Sequence, residues 1–302
     1  MYERAYLLSK AALPLFREIR DRCGEALACD KVGSYAAMLG RFAEADESFE
    51  LAVTTAREIG DEFISTAAIQ RRASMFYNPL GMFEEALVVL RAIDGAVKRP
   101  ACLTVFVALN LSEAASGLGR FAEAKEAAER ALCLGRGRGN RLVACRASLR
   151  LGEAELGLDH CDAARAALEL ALARELGFPA ELAFVLHVLA RACRLEGDLA
   201  AAKDALAQSL AIEVPYDVVH RFESGLWTGA CIFNDLGEHQ RAELLACRAR
   251  GLVEERSAAI PDERWPASYR AISYNRGILS ARTNARRACP PSYNSPSERA
   301  RG

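Results

Sequence analysis

Leu39-Gly40-Arg41-Phe42-Ala43-Glu44-Ala45 is the stretch on which the fold turns, because it comes back. Leu80-Gly81-Met82-Phe83-Glu84-Glu85-Ala86 and Leu118-Gly119-Arg120-Phe121-Ala122-Glu123-Ala124 are close copies. Looser copies begin at Leu158-Asp159-His160-Cys161, Glu196-Gly197-Asp198-Leu199 and Leu236-Gly237-Glu238-His239, and close on Ala164, Ala202 and Ala242. The six closing alanines are spaced by 41, 38, 40, 38 and 40 residues, a period near 40. Before the first turn, Val32, Tyr35, Ala36 and Leu39 follow a helical apolar pattern; after it, Ala45, Phe49 and Ala52 do so at i, i+4, i+7. Each unit therefore reads as helix, tight turn, helix. The glycine supplies the left-handed backbone that ends the first helix. The small alanine marks where the two antiparallel helices cross most closely.

The 302 residues are 51% hydrophobic and 26% charged, which is globular composition. Lys and Arg total 39 against 40 Asp and Glu, so the chain lacks the basic surplus of a nucleic-acid protein. Only Lys10, Lys31, Lys98, Lys125 and Lys203 are lysines; with abundant Ala and Gly this points to a GC-rich, bacterial genome. Met1-Tyr2-Glu3-Arg4 is no secretory n-region. The most apolar run, Leu182 to Ala192, is broken by His187 and Arg191 and falls short of the roughly 18 residues a span needs. A soluble cytoplasmic protein without a membrane partner is expected. The ten cysteines form no C-x-x-C pair, and buried thiols in a reducing compartment are the expectation, with Cys289 exposed in a polar tail.

The series resembles the tetratricopeptide repeat. Val32, Gly33, Gly40, Phe42, Ala45, Phe49 and Ala52 stand at that family's signature places, as do Leu151, Gly152, Asp159, Ala164, Leu168 and Ala171 in the fourth unit. In the third unit Leu111, Gly119, Phe121, Ala124, Ala128 and Ala131 match, while Ser74, Ala190 and Ala230 replace the helix-A glycine in units two, five and six. The resemblance covers roughly residues 26–256 and implies an all-α, right-handed solenoid of antiparallel helix pairs. The family's usual period is 34. The extra residues are expected in helix ends and in loops such as Leu134 to Asn140, read as flexible. The long form resembles the repeat arrays of MalT-like ATP-dependent regulators and of peptide-sensing regulators of Gram-positive bacteria.

The ends complete the plan. Residues 1–25 read as a half-repeat, a second-type helix without its first, with Pro14 expected to kink or end it. Two readings stay open there: an adapted cap, or part of a longer regulator. Residues 257–282 hold one capping helix from Trp265, with Pro266 in its first turn, and 283–302 form a basic disordered tail.

No H-E-x-x-H, G-x-S-x-G or P-loop is present, so neither an enzyme, a cofactor nor a metal is expected. Carboxylates such as Glu44, Glu47, Glu123 and Glu126 read as solvated faces with neighbouring cations. What remains is binding. The resemblance places groove-lining residues on the first helix of each pair: Arg71 and Asn78; Asn110 and Glu113; Arg146, Arg150 and Glu153; His187, Arg191 and Arg194; Trp227 and Asn234. Arg71, Asn110, Arg146 and Arg150 resemble the carboxylate clamp by which some co-chaperone repeats hold a peptide C-terminus, with Met75 where the clamp has a second Asn. The alternative is that Glu113 and Glu153 neutralise these arginines. His187, Arg191, Arg194 and Trp227 mix aromatic and basic groups in the manner of binding hot spots. A non-catalytic scaffold for a protein or peptide, in bacterial signalling, is the expectation. A ligand-sensing piece of a larger ATP-dependent regulator and an architectural oligomerisation module are the rivals.

Overall fold

A computed structural model describes residues 2–95, 103–137, 139–172, 179–212, 222–260 and 264–281. Helix α1 (Tyr2–Glu18) precedes six pairs. These are α2 (Arg22–Met38) with α3 (Phe42–Glu58), then α4 (Glu62–Arg72) with α5 (Phe83–Asp94), and α6 (Thr104–Gly117) with α7 (Phe121–Gly137). There follow α8 (Arg141–Gly157) with α9 (Cys161–Leu172), α10 (Pro179–Glu196) with α11 (Leu199–Ala211), and α12 (Phe222–Asp235) with α13 (His239–Ala259). Two short helices, α14 (Arg264–Ala271) and α15 (Ser273–Ser280), come last. No strand occurs among the described residues.

The repeated heptapeptide does what its chemistry requires. Gly40, Gly81, Gly119, Gly197 and Gly237 all hold φ between 73° and 87°, and Asp159 takes the same place at 62°. Ala45, Ala86, Ala124, Ala164, Ala202 and Ala242 are each 0% exposed. A Cβ on Gly152 would lie 2.6 Å from the Leu168 side chain, so the helix-A glycine is a point of close approach within its pair. Four first or second helices open on a capping side chain: Asp21, Asp61, Asn140 and Asp198 accept from the amides of Gly24, Ile64, Val143 and Ala201.

First helices of successive pairs touch one another, from α2/α4 through α10/α12, whereas second helices pack on the first helices before and after them. The first helices thus form the inner layer of the superhelix and the second helices the outer one. Burial follows: α2 is buried around most of its circumference, while α3 buries one stripe built on Ala45, Phe49, Ala52 and Ala56. Outer helices are stitched across pairs by Arg91–Glu123, Arg120–Glu84, Arg130–Asp94 and Lys203–Glu238. These exposed pairs contribute at most about 1 kcal/mol each.

Several expectations need correction. Pro14 neither ends nor splits α1, which runs unbroken to Glu18. Its ring is exposed, and anchors on both sides hold the helix down: Tyr6 is buried, and Phe16 covers Gly24, where a Cβ would lie 2.3 Å from the ring. The stretch from Leu134 is not a loop as far as Gly137, because α7 continues through it. Gly135 lets the start of α8 approach, a Cβ there lying 2.8 Å from Val143. The stretch from Trp265 is two helices, not one; Ile272 is extended (φ −50°, ψ 133°) and the Asn275 amide donates to the Tyr269 carbonyl across the break at 2.8 Å. The tail expected at 283–302 lies outside the described residues. On and just after α1, Leu8, Leu15 and Ile19 are 64%, 61% and 70% exposed.

Candidate functional site

The inner layer carries buried polar side chains. Gln70, Asn78, Asn110, Ser112, Ser148, His187 and Glu223 are all buried on first helices or their ends. Buried polar groups need partners, and here many are drawn from the next first helix.

The ladder begins between α2 and α4. Arg71 Nε donates to Asp30 Oδ1 at 2.7 Å, and Asp30 is fully buried with Oδ2 lacking a hydrogen bond. A π-turn over Ala73–Tyr77 continues α4. It adds one residue to the helix, so Arg71 sits one place later in the repeat than counting back from Ala86 indicates. Beyond it, Asn78 Nδ2 lies 3.5 Å from both the Asn110 carbonyl and Glu113 Oε2, and Asn110 Nδ2 lies 3.5 Å from the Gln70 carbonyl. Arg150 bridges Glu113 at 3.0 Å and Glu153 at 2.6 Å, with its guanidinium 5.9 Å from the Phe184 ring. Arg146 pairs with Glu181 of α10, and Arg194 with Asp235 of α12 at 2.6 Å.

The clamp-like set is therefore taken up by the protein's own carboxylates: Arg71 by Asp30, Arg146 by Glu181, Arg150 by Glu113 and Glu153. Asn110 is buried between helices. The second set divides. His187 is buried, edge-on to Phe184 with centroids 4.6 Å apart, and its Nε2 lies 3.5 Å from Ser224 Oγ. Arg191 is half-buried. Trp227 turns toward the C-terminal pair, its Nε1 3.9 Å from where a Cβ on Gly277 would lie. Asn234 keeps a buried Oδ1 without a hydrogen bond. Asp30, Glu181 and Asp235 were absent from the sequence-derived set, although Asp30 and Asp235 each stand 41 residues from their arginine, about one period.

No family profile matches this chain, and no curated protein does. Among solved structures it is similar to a Rap protein complexed with competence and sporulation factor, with a TM-score of 0.57 and 14% identity over 84% of this chain and 76% of that one. It is also similar to the apo form of the quorum sensor NprR from B. thuringiensis, with a TM-score of 0.53 and 14% identity over 93% and 80% of the two chains. The chain is a right-handed tetratricopeptide-repeat-type α-solenoid. The ladder from Asp30 to Asp235 runs along the inner layer formed by the first helices. Ion pairs that join successive first helices hold repeats in register, and carboxamides placed between them offer a donor and an acceptor each. Among the described residues no group of acidic, His and Cys side chains is arranged to hold a metal, and no helix is long and apolar enough to cross a membrane.

Proposed function

We propose that this solenoid is a non-catalytic scaffold that recognises a peptide or protein segment along the concave face of its first helices, in bacterial signalling. The observation that carries this reading is the inter-helix ladder itself: charges and carboxamides run along the inner layer from Arg71 to Asp235 on a rigid frame. A preformed polar groove binds an extended chain at low ordering cost, with anchors such as Arg150 and Arg191 supplying contact area. The fold shared with a Rap protein seen with competence and sporulation factor, and with the quorum sensor NprR, supports the signalling context.

The test is selection from a random displayed peptide library on the immobilised full chain. The wild type should enrich related sequences. Asn110→Ala combined with Arg150→Ala should weaken the selected peptide at least tenfold, about 1.4 kcal/mol, while Glu126→Ala on the exposed face of α7 should leave it unchanged. Equal affinity in all three proteins contradicts the reading.

A further inference from the structure

We propose that α14 and α15 form a clasp that closes repeats two to six into a ring, and that the clasp parts at repeat two while staying fixed to repeat six. Helix α15 packs on α12 and α13, where the first helix of a seventh pair would stand. Helix α14 packs on α13 and extends across to the turn between α4 and α5, four repeats earlier in the chain.

The two sides of the hairpin differ in their polar contacts. Toward repeat six directional polar contacts are added to apolar packing, Ile278 lying in the same buried apolar cluster as Ala249 and Val253. Arg250 donates to the Ala281 carbonyl, with the Ile278 carbonyl at 3.5 Å. Glu223, 1% exposed, receives the Tyr269 hydroxyl at 3.0 Å and pairs with Arg256. Burial, then the Glu223 charge, hold that hydroxyl protonated well above the usual phenol range. Toward repeat two the hairpin presents apolar surface and backbone. The Trp265 ring meets Phe76 edge-on, centroids 5.0 Å apart at 88°, and Phe76 in turn meets Phe42 and Tyr77. A Cβ on Gly81 would lie 2.5 Å from the Ser268 carbonyl oxygen and 2.7 Å from Ile272 Cγ1.

Gly81 separates this contact from ordinary turn geometry. Gly40 and Gly119 occupy the same turn position with the same left-handed backbone, φ 73° and 75° against 76°. A Cβ on Gly40 would meet nothing within 4 Å, and one on Gly119 only the Phe121 ring at 4.0 Å. At repeat two the absent side chain admits the hairpin. Hydrogen bonds and a buried ion pair fix one geometry, whereas an apolar seam can part as a unit. Because the clasp ties repeat two to repeat six, its state sets the span of the inner face between them; that consequence rests on the groove reading, whereas the clasp does not.

The chain has two tryptophans, so Trp227→Phe leaves Trp265 as the single reporter. In that background acrylamide quenching reads the shielding of Trp265 in the full chain without any ligand, so the groove reading and the clasp can fail separately. Asparagine tolerates left-handed backbone, so Gly81→Asn adds a side chain against Ser268 while sparing the turn, and Gly40→Asn and Gly119→Asn are the matched controls. The clasp predicts a quenching constant at least about threefold higher in Gly81→Asn, with both controls unchanged. Should Gly81→Asn lose helicity by circular dichroism, Phe76→Leu, which keeps repeat two apolar and removes the ring Trp265 meets, must give the same rise. An unchanged constant in the folded repeat-two variant, or an equal rise in the controls, overturns the proposal.

Discussion

A single methyl group at Ala164 sits where α8 and α9 cross, with no exposed surface. Replacing it by Leu inserts three carbons into a closed contact; the expected loss is about 1–3 kcal/mol, read as a lower urea midpoint at unchanged slope. Ala163→Leu, one residue away and exposed, should stay within about 0.5 kcal/mol of the wild type. Equal effects at both sites contradict the wedge role. This residue was legible in the sequence because each pair imposes the same steric limit, so six alanines and six left-handed turn residues recur in step. Even Asp159, the one non-glycine among those turns, declared itself by register. The partners of the arginines were only half legible. Glu113, Asp30 and Asp235 all bond an arginine on a neighbouring first helix, and of these only Glu113 is named from the sequence. Which of several acids one period away meets a given guanidinium depends on the helix rotation that packing sets.

Helix α1 is held to the first pair by polar contacts. Tyr6 donates to Glu44 of α3, and Arg17 bonds the buried Glu25 of α2 at 2.7 Å, with Arg22 on the other oxygen. The Arg17 and Arg22 hydrogen bonds hold the Glu25 carboxyl below its ordinary value of 4.5 despite its burial. A carboxyl depressed in the folded state contributes stability that is complete above about pH 4.5 and is lost as pH falls through its lower folded value. Glu25→Gln should therefore cost about 1–2 kcal/mol at pH 7, discounted for the half-exposed arginines. The gap to the wild type should shrink as pH falls below 4.5. A gap that widens in acid contradicts this account, and chemical denaturation across pH measures it. Other features of the elements were illegible. The π-turn at Ala73–Tyr77 and the break at Ile272 both lie at the contact between repeat two and the C-terminal hairpin. No local pattern encodes a conformation that a contact four repeats away completes. Gly135 looked like a loop residue by composition, yet its missing side chain serves a close helix approach within α7.

At the scale of the whole molecule, the repeat series yields a solenoid whose inner layer carries buried, ion-paired polar groups among apolar ones, and whose last hairpin returns to its second repeat. On the proposed reading, the bound segment competes for, or threads between, contacts the helices already make with each other. The direct test is a chemical-shift map of the isotope-labelled full chain on adding the peptide selected from the library. Recognition along the concave face predicts perturbed amides concentrated in α4, α6, α8, α10 and α12. Perturbations confined to the outer helices α3, α5, α7, α9 and α11, or to the exposed row on α1, would contradict it.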